Sequence, residues 1–188
     1  MSPTHAWLTL ASALLLSLQP GTARPATADQ DIQVEVLKNG AEITVRVDCP
    51  VTAPVALVWE VLTDYDHMAA FISNLEVSNV RSRNGDTLQI FQKGRASRGL
   101  LSFAFENLRE IELVPHREIR SRLISGNLKA SEFTTRVVDD GTQVHILNSG
   151  RFVPNVWVPP LIGPSVIEAE TRKQFDEIRT EILRRNVR

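Results

Sequence analysis

The run from residue 101 to 114 brings together the residues most able to recognise a charged group. Leu101, Phe103, Phe105, Asn107, Arg109, Ile111 and Leu113 share one parity of an extended chain, and Ser102, Ala104, Glu106, Glu110 and Glu112 share the other. If that alternation is unbroken, Asn107 and Arg109 face inward among rings and aliphatic chains. A guanidinium in such a place is costly alone, so it would meet a carboxylate, water or an anionic group of a bound molecule. A β-bulge near Asn107 would instead turn Leu108 inward and Arg109 out to solvent, and the sequence fits both arrangements. A second polar group arises in the run Val144–Phe152, where Val144, Ile146, Asn148, Gly150 and Phe152 share a face. Asn148 then either orients a ligand in an apolar pocket or satisfies a neighbouring backbone group. Leu123 and Phe133, with Phe103, Phe105 and Ile146, would supply apolar contact area, each contributing about 1.5–3 kcal/mol at full burial. Trp157 lies among the prolines of Phe152–Pro160 and is a candidate for contact with ligand or, transiently, a membrane surface. Packing against the following helix is the plainer alternative.

Other chemistry is hard to assemble. Asp64, Tyr65, Asp66 and His67 could exchange protons, but they sit between two short helical stretches, where such residues cap and staple. The histidines after residue 30 are His67, His116 and His145, with no pairing at helical or strand spacing and one distant cysteine, so no metal site is readable. There is no nucleophile elbow, phosphate loop or dinucleotide fingerprint. Cys49 alternates with Val45, Val47 and Val51 and reads as a small buried hydrophobe. No metal or cofactor is expected.

The elements that must position these side chains are mostly short strands and one long helix. From Pro159 to Arg188, Leu161, Ile162, Val166, Ile167, Thr171, Phe175, Ile178 and Ile182 form one stripe, and Glu168, Arg172, Lys173, Asp176, Glu177, Thr180 and Arg184 form the opposite one. Ile32–Val36 and Ile43–Val51 alternate around Asn39-Gly40 as a hairpin. Pro54–Leu62 has helical spacing, and a second short helix runs from Met68 to Phe71. Strands then follow in a meander, with Asn84-Gly85 and Asp140-Gly141 as further hairpin turns. Leu8–Leu18 is an apolar run followed by Ala26-Thr27-Ala28, in outline a secretory signal peptide cleaved near Ala28, which places the protein in the periplasm or outside the cell. Its loss removes Arg24 and no acid, taking the formal net charge from −1 to −2. The remaining residues 29–188 suit one domain with a sizeable core. Near-neutral charge without a basic stripe argues against a nucleic-acid partner, and the sequence does not indicate an oligomeric state.

The run Val51-Thr52-Ala53-Pro54-Val55-Ala56-Leu57-Val58-Trp59-Glu60-Val61-Leu62-Thr63-Asp64-Tyr65, then Phe71-Ile72-Ser73-Asn74-Leu75, and Pro159-Pro160-Leu161-Ile162-Gly163-Pro164 carry a resemblance. From Ile32 to Arg185 the chain resembles the START-like (SRPBCC) superfamily, in its polyketide cyclase and coenzyme-Q-binding branch. The resemblance implies an α+β helix-grip fold: a curved antiparallel sheet of about seven strands wrapped around the long C-terminal helix, with two short helices after the first strand. It also implies an elongated apolar cavity between sheet and helix. The expected function is non-catalytic binding or transport of an apolar small molecule of lipid or isoprenoid quinone type. The alternative is a cyclase- or dehydratase-like enzyme that uses polar groups in the same cavity.

Overall fold

The computed structural model describes residues 31–98, 101–155, 158 and 163–187, with backbone alone for 96–98 and 101–103. The expected leader, residues 1–28, with Trp157 and residues 159–162, therefore lies outside the described residues, as does the side chain of Phe103.

The chain opens with β1 (Gln33–Asn39) and β2 (Glu42–Val51), then α1 (Val55–Thr63) and a 3-10 turn, Met68–Ala70. Strands β3 (Leu75–Asn84), β4 (Thr87–Arg98), β5 (Leu101–Val114), β6 (Glu118–Gly126), β7 (Leu128–Asp139) and β8 (Val144–Pro154) follow, and α2 (Gly163–Asn186) ends the fold. The described strands form one antiparallel sheet in the order β1-β2-β8-β7-β6-β5-β4-β3. The sheet has eight strands where about seven were expected. The helical segments follow the second strand of the opening hairpin, and the second of them is only a 3-10 turn.

Two turns behave as their dipeptides imply. Asn39 pairs with Glu42, and Asn84 with Thr87, leaving two-residue loops that begin with Gly40 and Gly85, each at φ +59°. In this region an L side chain is strained, so glycine is required. Asp140-Gly141 differs. Asp139 pairs with Val144, and the four-residue loop is held by the Asp140 carboxylate, which accepts from the Thr142 and Gln143 amides and the Thr142 hydroxyl.

The sheet's concave face and the helices enclose the core. Ile43, Cys49, Ile146 and Ile182 are fully buried, and α1 contributes Val58, Trp59, Val61 and Leu62. From α2, Phe175, Ile178 and Ile182 pack down. At its far end, Arg185 donates to Glu181, Glu60 and Asp64 and lies over the Phe71 ring, so α2 is tied to α1 and to the joint that follows it.

Two glycines sit at close contacts between paired strands. A Cβ on Gly94 would lie 2.0 Å from the Asn74 carbonyl oxygen and 2.7 Å from the Phe105 ring. One on Gly150 would lie 2.3 Å from the Glu132 carbonyl oxygen and 2.4 Å from Phe133. Each glycine thus lets a ring from the paired strand lie flat across the sheet. Gly94→Ala is expected to destabilise the fold by about 1–3 kcal/mol, since backbone must move to admit the methyl group. Chemical denaturation of the variant beside the wild type reads this directly.

Candidate functional site

A cavity of about 720 Å³ lies between the concave face of the sheet and α2. Its exposed lining is mostly apolar. Val45, Ile90, Phe105, Ile111, Ile119, Phe133 and Phe152 come from the sheet; Leu62 and Met68 from α1 and the 3-10 turn; Val166, Ile167, Phe175 and Ile178 from α2. Phe133 and Phe152 stack with ring centroids 6.4 Å apart.

Whether Arg109 faces in or out is decided by which strand carries the bulge. The β4–β5 register runs without a shift from Thr87↔Glu112 to Arg98↔Leu101, so β5 keeps its alternation. The irregularity falls in the β5–β6 pairing, where Leu108 pairs with Ser125 but Arg109 with Leu123, so the extra residue, Ile124, belongs to β6. Phe105, Asn107, Arg109 and Ile111 therefore all line the cavity.

Arg109 spans three strands. Its Nε donates to Ser121 Oγ of β6 at 2.6 Å, and both terminal nitrogens reach Ser131 Oγ of β7 at 3.2 Å. Its guanidinium carbon sits 5.9 Å from the Phe133 ring centroid. Burial pushes the guanidinium down to about 10, with Tyr65 acting the other way, so it is charged at neutral pH. Tyr65, at the joint after α1, is buried and turns into the same cavity. Burial drives its phenol far above the usual range, so at neutral pH it is an O–H donor. Asn107 Oδ1 is buried without a donor, and so is Asn74 Oδ1. Asn148 lines the cavity with its Nδ2 on Thr135 Oγ1 at 2.8 Å, satisfying a neighbouring side chain rather than backbone.

Two anticipated contacts sit elsewhere. Ile146 is buried in the core and does not reach the cavity: it is 0% accessible, paired with Cys49 on one side and Val137 on the other, and absent from the described lining. Leu123 is half-buried and also absent from that lining. Beyond Arg122, β6 has no rung to β7 and follows β5 instead, which carries Leu123 away. Several further residues line the cavity. Tyr65 lies at the joint after α1, where residues of its type also cap and staple. Ser121 shares parity with Ile119, and Ser131 with Phe133, so strand alternation alone could have found both. Glu170 and Gln174 lie four apart on the inner stripe of α2, among the apolar residues that drew attention away from them.

The other face of the sheet has a depression of about 580 Å³, lined by Arg46, Glu110, Glu112, Arg120, Arg122, Glu132 and Arg151 among others. These charges answer one another: Arg122 pairs with Glu110, Arg151 with Glu132 at 2.5 Å, and Arg46 with Glu35 at 3.0 Å. A self-neutralised ladder leaves little for a ligand to satisfy. Among the described residues no cluster of three or more metal-ligating side chains occurs, and no helix is long and apolar enough to cross a membrane.

Solved structures share this architecture. The Zhui aromatase/cyclase from Streptomyces sp. R1128 superposes with a TM-score of 0.64 at 18% identity, covering 78% of this chain and 96% of its own. A STAR-related lipid transfer protein from Xanthomonas axonopodis gives 0.68 at 11% identity, covering 84% and 97%. Human STARD10 gives 0.60 at 11% identity, covering 80% and 73%. Identities this low speak for the fold alone. No curated protein matches the sequence. The model of the family described as polyketide cyclase / dehydrase and lipid transport matches residues 42–183, nearly the whole sheet and most of α2. With the helix-grip architecture and its internal cavity in place, the chain belongs to that family, within the START-like superfamily.

Proposed function

We propose that this protein is a non-catalytic carrier that holds one apolar small molecule, of lipid or isoprenoid quinone type, in the cavity between sheet and α2. The observation that carries the reading is the cavity itself: about 720 Å³, lined largely by aliphatic and aromatic side chains, and within the range that takes a single small molecule. Phe105, Phe133 and Phe152 supply broad contact surfaces, while Asn107, Arg109 and Asn148 orient the occupant. The apolar run Leu8–Leu18 and the small residues Ala26-Thr27-Ala28 support carriage outside the cytoplasm. Residues 29–188 form the carrying domain.

Native mass spectrometry of protein purified gently from its own host, followed by solvent extraction, tests this. A defined apolar molecule retained near one per chain is the expected result. Protein recovered empty that turns over a polyketide-type aromatic substrate would overturn it. Sequencing the N-terminus of the same sample tests export: it should begin near Asp29, and an intact Met1 would refute cleavage.

One observation favours an enzyme as the second reading. Arg109 and Tyr65 bring a cation and a hydroxyl donor to one cavity, a pair that can stabilise negative charge developing on a substrate, and the unsatisfied Asn107 Oδ1 beside them can accept from a substrate hydroxyl. In a cyclase- or dehydratase-like enzyme, Arg109→Ala would abolish turnover, whereas a carrier of neutral molecules would keep most of its binding.

A further inference from the structure

Arg109 is the only cationic side chain among the described residues that line the cavity. Among the same residues the only carboxylate is Glu170 on α2, and it makes no ion pair with Arg109. Among the described residues the hydrogen-bond partners of Arg109 are neutral hydroxyls, and the Phe133 ring lies beside its guanidinium. A guanidinium offers five N–H groups. One goes to Ser121, and one from each terminal nitrogen goes to Ser131, which leaves two N–H groups without an acceptor among the described residues. Tyr65 is close enough for the Arg109 charge to act on its phenol, and the Tyr65 hydroxyl likewise has no hydrogen-bond partner among them. A half-buried cation with three donors unmatched among the described residues, in a largely apolar cavity, is costly unless something answers it.

We propose that the occupant of the cavity is an amphiphile with one oxyanion, a carboxylate or a group of equal charge, seated on Arg109 and Tyr65. The inference rests on the carrier reading and narrows it, selecting an acidic amphiphile over a neutral quinone. A single positive charge, with Glu170 on the facing helix, suits a monoanion and disfavours a dianion such as a phosphate monoester. The volume suits one such molecule, its apolar body lying along Phe105, Phe133, Phe152 and Ile167. Arg109 also ties β6 to β7 where their rungs stop, since Ser121 and Ser131 lie on either side of that divergence. A purely structural role would leave charge selectivity untouched, and this separates the two roles experimentally.

The test uses two fluorescent probes with one skeleton: anilinonaphthalene sulfonate, a monoanion, and phenylnaphthylamine, its uncharged counterpart. The wild type is expected to bind the sulfonate about tenfold more tightly, the size of one charge-assisted hydrogen-bonded contact. Arg109→Met should erase that preference, bringing the two probes within about twofold of each other. Tyr65→Phe, which keeps the ring, should lose about threefold of the preference, and it keeps the proposal testable if Arg109→Met does not fold. Equal affinities in the wild type, or a preference that survives in both variants, would overturn the oxyanion site while leaving the cavity in place. Failure of both probes to bind the wild type would overturn the cavity reading, and the oxyanion site with it.

Discussion

Ile146→Ala should lower stability by about 2–5 kcal/mol and leave ligand affinity unchanged within about twofold. Ile146 sits on β8 with no accessible surface, between Cys49 of β2 and Val137 of β7, in the core cluster that includes Phe175 of α2. Neighbouring strands hold their places through backbone rungs, so the gap left by the deleted atoms cannot easily collapse. The lost transfer energy and the void both count. The Cys49 thiol already reaches toward the Phe175 carbonyl at 3.9 Å, which shows how closely α2 rests on this part of the sheet. Denaturant titration measures the stability and probe titration of the folded fraction measures the affinity. A large loss of affinity with little loss of stability would place Ile146 at the cavity surface and contradict its position here.

Arg185→Ala should cost about 2–4 kcal/mol at neutral pH, less than a fully buried pair because Arg185 is 18% exposed. For a domain of this size that lowers the thermal midpoint by roughly 5–12 °C. Arg185 donates to Glu181 at 2.7 Å, to Asp64 at 2.7 Å and to Glu60 at 3.0 Å, joining the last turn of α2 to α1. Hydrogen bonds from Arg184 and then Arg185 bring Glu181 down to about 2, against the opposing effect of burial. Asp64 is also held low: burial raises it, but bonds from His67 and Arg185 outweigh that. Both carboxylates are depressed in the folded state. Their contribution is therefore present above about pH 4.5, the unfolded value for Glu181, and is lost as pH falls toward 2. The variant should show a shallower acid limb over that window, with Arg184 preserving part of it. An unchanged limb would mean that Arg185 contributes nothing to the depressed acidity of either group.

These two substitutions lie on different layers of the molecule, and the layers differ in how far the linear chain specifies them. Alternation in Val45–Val51 and Leu101–Leu113, helical spacing in Pro54–Leu62 and Val166–Ile182, and the Asn-Gly turns are local signals. Each element's buried face was legible because burial repeats with the period of the backbone. The family resemblance carried by Val51–Tyr65 and the residues opening the last helix then implied a sheet gripping one helix. The 142 residues matched by the family model, from 42 to 183, lie within the span where this resemblance was read.

The site was legible only in part. Phe105, Asn107, Arg109, Phe133, Asn148 and Phe152 all line the cavity, since parity placed them on the concave face. Parity alone could not say that the irregularity near Arg109 belongs to β6, because a bulge is a relation between two strands. It could not separate Ile146 from Asn148 on one face, because which residues meet α2 and which meet the cavity depends on where that helix rests. Tyr65 and Glu170 enter the cavity from α1's end and from α2, segments distant in sequence from β5. By itself the sequence determined the elements, their inward faces and the family they compose. Only the tertiary structure decided that one cation, without an ion pair among the described residues, lines an apolar space, because that depends on side chains from separate elements meeting or failing to meet.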